Sequence, residues 1–312
     1  MSYMNEFRVA SARQMSASEP AEAAASGCSQ EEVELRRLTR EIMSPGALEP
    51  FGVYVFDGAE VGAKLGRHVE QSVFLQAFGD TSEFLATQYR PYEQASFFIC
   101  VVDHLRGLPV GSMRVLMTSP AGFKSLNDIE PVWGEPAGTL IERSGLALDL
   151  DRTWDVASLA VVPEYRAKAT GGLVSMALFQ ALGLAARACG VNWFVAIFDM
   201  PVFRMIRLKL CMIFSGYEGI TAKPYLGSPA GMPAWCEVAE SEKRLAASDP
   251  RLHAILIAGI GLEEVVRPMD VSSLERLVRR QRRAVAGSGS SGGHEPDPPS
   301  SQRADDLREA IG

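Results

Sequence analysis

From Val61 to Phe78 the apolar positions Leu65, Val69, Val73, Phe74 and Phe78 recur at helical spacing. Lys64, Arg67, Glu70 and Gln71 fall on the other side, so the pattern predicts an amphipathic helix with those four facing water. Val33, Leu35, Leu38 and Ile42 repeat the pattern earlier in the chain. Ser29-Gln30-Glu31-Glu32 has the form of a capping box at the start of that helix, and Ser44-Pro45-Gly46 stops it. Phe51 to Phe56 reads as a short strand ended by Gly58. FFICVVD (Phe97 to Asp103) and VGSMRVL (Val110 to Leu116) are rich in β-branched and aromatic residues, and His104 to Pro109 joins them as an antiparallel pair. Residues 79–94 lack a clear period and read as a surface connection. Residues 117–150 read as a long loop with room for one short helix.

The second half alternates strand and helix. An apolar strand from Trp154 to Val162 runs into a short polar turn carrying Tyr165, Arg166 and Lys168, then into Gly171 and Gly172. The helix from Leu173 to residue 188 is apolar nearly all round, which predicts burial on most sides, and Gly190 ends it. Trp193 to Phe198 is a strand buried on both faces. A helix follows from Asp199-Met200-Pro201 to Leu210, with Arg204, Arg207 and Lys209 on its polar side. Strands near 212–218 and 234–239, a region at 251–267 and a helix opened by Ser272-Ser273-Leu274-Glu275 complete the pattern. The basic run Arg279 to Arg283 at the end of that helix reads as a solvated end rather than a phosphate-binding patch. This order predicts a mixed sheet flanked by helices, in the α/β (α+β) class.

Composition narrows the function. The 312 residues, 47% hydrophobic and 22% charged, suffice for a substantial core. A net charge of −7 argues against general nucleic-acid binding, which needs a broadly basic face. Cys28, Cys100, Cys189, Cys211 and Cys236 are scattered without a CxxC spacing and read as free thiols of a reducing compartment. His68, His104, His253 and His294 lie far apart, so no metal site is indicated. The polar N-terminus has no secretory apolar segment, and Leu173 to Ala186 is too short to span a bilayer. The expected location is cytoplasmic. Residues 1–28 and 286–312 read as a disordered segment and a flexible tail around one domain at 29–285.

The chemistry concentrates at the turn after Val162. Glycines there let the backbone approach a phosphate closely, and the helix dipole favours negative charge at its N-terminus. LAVVPEYRAKATGG, from Leu159 to Gly172, resembles the acyl-coenzyme A signature of the GNAT acyltransferase superfamily. That signature is Gln/Arg-x-x-Gly-x-Gly/Ala after a strand ending Val-x-Pro-x-Tyr-Arg. Arg166 takes its first position and Gly171 its last, and Ala169 stands where the first glycine would be. The resemblance implies a mostly antiparallel sheet with a central splay. It also implies acyl-CoA as co-substrate, with its pyrophosphate on the amides of Ala167, Lys168, Ala169, Thr170, Gly171 and Gly172. The pantetheine arm would lie along Leu159, Ala160 and Val161.

Val73 to Leu116 is similar to the acyl-homoserine lactone synthases and N-acyl amino acid synthases, GNAT enzymes that use long acyl chains on acyl carrier protein. Phe74 and Arg114 match that pattern, whereas Glu93 and Arg90 stand where aspartates are usual. The family's Glu-x-Ser-Arg becomes Asp155-Val156-Ala157-Ser158, which loses the arginine and speaks against lactone synthesis. Acyl transfer to an amine needs a base, and Asp155 or Glu93 could serve directly or through water. Arg114 could bind a carboxylate on the acceptor or an inner acid such as Asp155. Many family members use a tyrosine as acid to the leaving thiol, but none stands in Arg207 to Cys211, and Tyr217 is the next in the chain. The resulting expectation is an N-acyltransferase acting on a small-molecule amine, with acyl-CoA or acyl carrier protein as donor and a homodimer left open. A GNAT-fold binding or sensor module without turnover is the alternative, and thiol release in the presence of amines discriminates the two.

Overall fold

Nine strands among the described residues join in one sheet: β1 (Phe51–Asp57), β2 (Ser96–Asp103), β3 (Leu108–Leu116), β4 (Thr153–Val161), β5 (Trp193–Asp199), β6 (Ser215–Gly216), β7 (Lys223–Tyr225), β8 (Ser228–Glu237) and β9 (Val266–Arg267). The computed structural model describes residues 30–43, 48–166, 170–209 and 214–288. The order across the sheet is β6-β8-β5-β4-β3-β2-β1-β9, with β7 also on β8. Only the β4–β5 and β1–β9 pairs are parallel. The sheet is therefore mixed and mostly antiparallel, as the order of elements predicts.

Every residue of β2 is buried because helices cover both faces. Phe98, Cys100 and Val102 pack under α1 (Gln30–Ile42) and α2 (Ala63–Phe78) with Leu35, Leu38 and Leu65. Phe97, Ile99 and Val101 face the opposite way, into the main core with Val174, Leu178 and Leu182 of α7 (Leu173–Cys189). A strand covered on both faces reads as continuous apolar sequence, which is why FFICVVD shows no alternation. The free thiols Cys100 and Cys236 are buried and Cys189 is half-buried. No helix among the described residues is long and apolar enough to cross a membrane.

The structure corrects four readings. Residues 79–94 hold a helix, α3 (Ser82–Tyr89), capped by the Thr81 hydroxyl accepting the Phe84 amide at 3.2 Å, and then a 3-10 turn. Residues 117–150 form three short helices, α4 (Lys124–Asn127), α5 (Ile129–Trp133) and α6 (Ala137–Arg143). Each is two turns or less, too short to print a period, yet Ile129, Trp133 and Leu140 bury against Tyr217 in a core of their own. After α8 (Met200–Lys209), the segment near 234–239 divides between β8 and α9 (Val238–Ser248), and α10 (Pro250–Ala258) follows.

The fourth correction concerns the basic run. It lies in α11 (Val271–Ser288), which continues past residue 285 into the segment read as tail. Arg280 pairs with Asp57 at 2.7 Å, and Gln281 is only 4% exposed. The Gln281 amide accepts the Trp154 indole N–H at 2.8 Å and donates to Asp151 O at 2.9 Å. Arg280 and Gln281 thus fasten the last helix to β1 and β4, whereas Arg279, Arg282 and Arg283 are exposed, as a solvated end would be. The expected disorder at 1–28, the Ser29 cap, the stop at residues 44–46, Cys28, Cys211 and the tail beyond 288 lie outside the described residues.

Gln281→Leu leaves a buried indole N–H without its acceptor. The expected loss is about 2 kcal/mol, read as a lower urea midpoint at unchanged slope.

Candidate active site

β4 and β5 pair for three residues only: Thr153 with Trp193, Trp154 with Phe194, and Asp155 with Val195. Beyond Asp155 they part. β5 stays bound to β8 along its full length, from Trp193–Glu237 to Asp199–Gly231. β4 follows β3 instead, with a register shift that inserts Ala157 as a bulge. A bulge bends its strand and sharpens the twist, here away from β5.

The Val162 amide donates to Val110 O at 3.0 Å, which sets the alternation along the ladder. Ser158 and Ala160 turn their backbone groups to β3, whereas Ala157, Leu159 and Val161 turn theirs into the splay. Ala157 O accepts the Tyr89 hydroxyl at 2.9 Å, and Val161 O accepts Nε of Arg166 at 3.0 Å. Past the last β4–β5 pair, Ala157, Leu159 and Ile197 are half-exposed between buried neighbours, and Asp199 is half-exposed at the end of β5. The result is a groove walled by a strand edge whose Ala157 and Val161 carbonyls are held by side chains.

That edge leads into the glycine turn. Gly171 and Gly172 have φ of 62° and 86°, a region open to glycine at no steric cost. A Cβ at Gly172 would meet no atom of the described residues within 4 Å. α7 starts without a side-chain cap and without an acid in its first turn, which leaves its first amides for an anion. The Thr170 hydroxyl donates to Tyr165 O at 2.8 Å. The Tyr165 hydroxyl donates to Asp103 at 2.6 Å and accepts from Arg106 at 2.8 Å, both on the β2–β3 hairpin. Burial, then Asp103, pushes this hydroxyl's pKa up to about 12. Ala167, Lys168 and Ala169 lie outside the described residues.

The face of the sheet under α2 and α3 carries charge. Glu70 does not face water; it is 1% exposed and grips Arg114 with both oxygens, at 3.0 and 2.6 Å. It also accepts the Ser158 hydroxyl. Arg114 donates to Glu93 at 3.0 Å, and its guanidinium lies 4.1 Å from the ring centroid of Tyr89 and 4.6 Å from that of Phe98. Burial works against the Arg114 charge, but Glu70 more than offsets it and the pKa is raised. The inner acid of Arg114 is thus Glu70, not Asp155. Glu93 gives its other oxygen to Arg67. A cleft of about 300 Å³ opens here, lined by Arg67, Glu70, Gln71, Arg90, Glu93 and Arg114.

Asp155 sits at the apex of the splay and is fully buried. One carboxylate oxygen accepts the Ser125 amide at 2.8 Å and the other the Ser125 hydroxyl at 2.6 Å. Burial pushes its pKa up to about 6, against the pull of Ser125 and Lys124. The Tyr217 hydroxyl is buried without a partner among the described residues, and burial, then Asp155, raises its pKa. Sequence reasoning did not find Glu70, Tyr89 or Ser125. Their roles depend on partners up to 88 residues away and leave no local period.

Arg114→Met strands a buried Glu70 charge and is expected to cost about 3–5 kcal/mol in urea unfolding. Adding Glu70→Leu to it removes the stranded charge and recovers most of the loss.

No protein-family model matches the chain, and no curated protein matches it in sequence. Solved structures do match in shape. The CoA-dependent acyl-homoserine lactone synthase BjaI, solved with SAM and isopentyl-CoA, is 14% identical over 72% of this chain and 97% of its own, at a TM-score of 0.46. FeeM, an N-acyl amino acid synthase from uncultured soil microbes, is 11% identical over 63% of this chain and 98% of its own, at 0.44. The AHL synthase LasI is 15% identical over 64% of this chain and 95% of its own, at 0.45.

Proposed function

We propose that the protein is an N-acyltransferase that moves an acyl group from acyl-CoA directly to the amine of a small molecule. The observation that carries this reading is the edge of β4 that parts from β5 and runs into a glycine turn with no side-chain cap among the described residues. A pyrophosphate meets amides at the turn and at the first turn of α7, and the pantetheine arm pairs with the inward-facing groups of Leu159 and its neighbours. The likeness of Leu159 to Gly172 to the acyl-CoA signature supports the same donor. An acyl carrier protein presents an equivalent arm.

The arm runs back along β4 from the turn, so its thioester lies at the apex, beside Asp155. The amine approaches through the charged cleft. As its nitrogen bonds to the thioester carbon, Asp155 takes its proton, backbone amides hold the developing oxyanion, and the C–S bond breaks. Tyr217 gives the thiolate its proton and takes the one Asp155 received, which restores both groups. Arg114 and Glu93 hold the wall of the cleft in this scheme. A second reading, a binding module without turnover, draws support from Glu93, whose two oxygens are both committed to arginines. Release of free thiol with a panel of amines separates the readings: turnover gives thiol, and a module gives none.

Isothermal titration of the folded protein with acetyl-CoA and a long-chain acyl-CoA is expected to show binding, and absence of binding for both defeats the proposal. Tyr165→Phe frees the turn from the hairpin and is expected to weaken CoA binding about fivefold or more, equivalent to roughly 1 kcal/mol for one hydrogen bond.

Asp155 is the base only when deprotonated, so the transfer rate is expected to rise through about pH 6. Asp155→Asn lowers the rate at least about a hundredfold and removes that limb. Stability runs the other way. The folded state binds the Asp155 proton more tightly than the unfolded chain, whose carboxyl has the ordinary value of 3.8. Between about pH 4 and pH 6 the wild type therefore loses stability, on the order of 3 kcal/mol, and Asp155→Asn does not. Urea midpoints across that range check the sign.

A further inference from the structure

Lys124 places a charge where water hardly reaches: it is 2% exposed. It opens α4, one residue before Ser125, whose amide and hydroxyl hold the two oxygens of Asp155. Its ammonium donates to Gln88 Oε1 at 3.2 Å and to Asp128. It also lies 5.6 Å from the ring centroid of Tyr89 and 5.7 Å from that of Tyr225. Tyr89 is on α3 and bonds to β4 through Ala157 O, whereas Tyr225 is on β7, which joins β5 through β8. The ammonium therefore sits between groups fastened to each of the two strands that part. A cation out of water persists only with such partners.

Asp155 is in need of a cation. Its neighbours in the sheet are Leu116 and Val195, and these belong to an apolar cluster with Phe123 and Ala157. Burial there favours the neutral carboxyl, and the two Ser125 bonds offset only part of that. The phenols that interact with it are Tyr89 of α3, Tyr92 of the turn after it, Tyr217 after β6 and Tyr225 of β7. Burial raises all four, so they carry no charge near neutral pH. Arg114 of β3 is closed in its own group with Glu70 of α2 and Glu93. Lys223 of β7 turns to the Val132 and Trp133 carbonyls. Where β5 pairs with β4 it presents only Trp193, Phe194 and Val195. What remains is the α4 pair. Lys124 draws the proton off Asp155, and Asp128, which also accepts the Tyr225 hydroxyl at 2.6 Å, opposes it with the smaller effect.

We infer that Lys124 is a positioning residue: its buried ammonium is the charge that keeps Asp155 ionised, so that the apex carboxylate can take a proton near neutral pH. Asp128 is its counterweight, and the two ends of one ion pair act on Asp155 in opposite senses. That Asp155 then serves as the base of acyl transfer rests on the reading above.

Carbon-13 NMR of the full-length protein labelled at its aspartate carboxyls tests this without any substrate, the Asp155 signal being the one lost in Asp155→Asn. In the wild type that carboxyl is expected to titrate at about pH 6. Lys124→Met moves its midpoint up by about one pH unit, and Asp128→Asn moves it down. A merely structural role of the pair would move both midpoints the same way or neither, and either result overturns the inference. If Lys124→Met does not fold, as judged by circular dichroism, Asp128→Asn decides: a lowered midpoint supports the inference, and an unchanged or raised one overturns it. The acid limb of thiol release from acetyl-CoA, with an amine that gives turnover, is expected to follow the same two shifts. A limb that stays in place while the carboxyl midpoints move overturns Asp155 as the base and leaves the hold of Lys124 on its charge standing.

Discussion

The parting of β4 from β5 is the constraint on which the rest of the site depends. Each strand is committed to a different partner: β5 matches β8 residue for residue over seven pairs, and β4 keeps to β3 across the Ala157 bulge. With the bulge bending one strand and a straight ladder holding the other, the two cannot remain neighbours beyond Asp155. The groove between them exposes strand edge inside a sheet, which is a costly place to leave backbone groups unpaired. Side chains take up part of that cost. The Tyr89 hydroxyl holds Ala157 O and Arg166 holds Val161 O.

Charge then fixes what covers the groove. A carboxylate and a guanidinium buried to 1% and 3% exposure persist only as partners, because either alone would carry an uncompensated charge out of water. Glu70 on α2 and Arg114 on β3 therefore lock helix to sheet at one register, and the Ser158 hydroxyl extends the lock to β4. The cation comes from β3 and its buried carboxylate from the helix above. Asp155 is held by Ser125, and burial raises its pKa to about 6, the range in which a carboxylate exchanges protons near neutral pH.

On the opposite face the same strand is held by neutral groups. Trp154, Phe97 and Phe194 pack the apex, and Gln281 of the last helix reaches back 127 residues to fix the indole. The two faces of β4 thus have different jobs. One carries the groups that can move a proton, and the other is a rigid floor. The glycine turn is tied down by a third contact, Tyr165 on Asp103 and Arg106, so the open end of the groove is braced by the β2–β3 hairpin.

Local pattern was enough for the strand, turn and long helix from Trp154 to Cys189, because a continuous apolar run, a glycine pair and an apolar helix are written in adjacent residues. It was enough also for the β2–β3 hairpin. It misplaced Glu70, since one charged residue on the polar side of an amphipathic period looks solvated until a distant arginine is known to lie under it. It passed over α3 to α6, whose few turns print no period, and it took Arg280 and Gln281 for a solvated helix end. The sequence by itself determined the longer strands and helices, whose period or apolar run is written in adjacent residues. Tertiary structure alone decided which charges are buried, where the sheet opens and what fills its apex, because each of those depends on partners brought together from far along the chain.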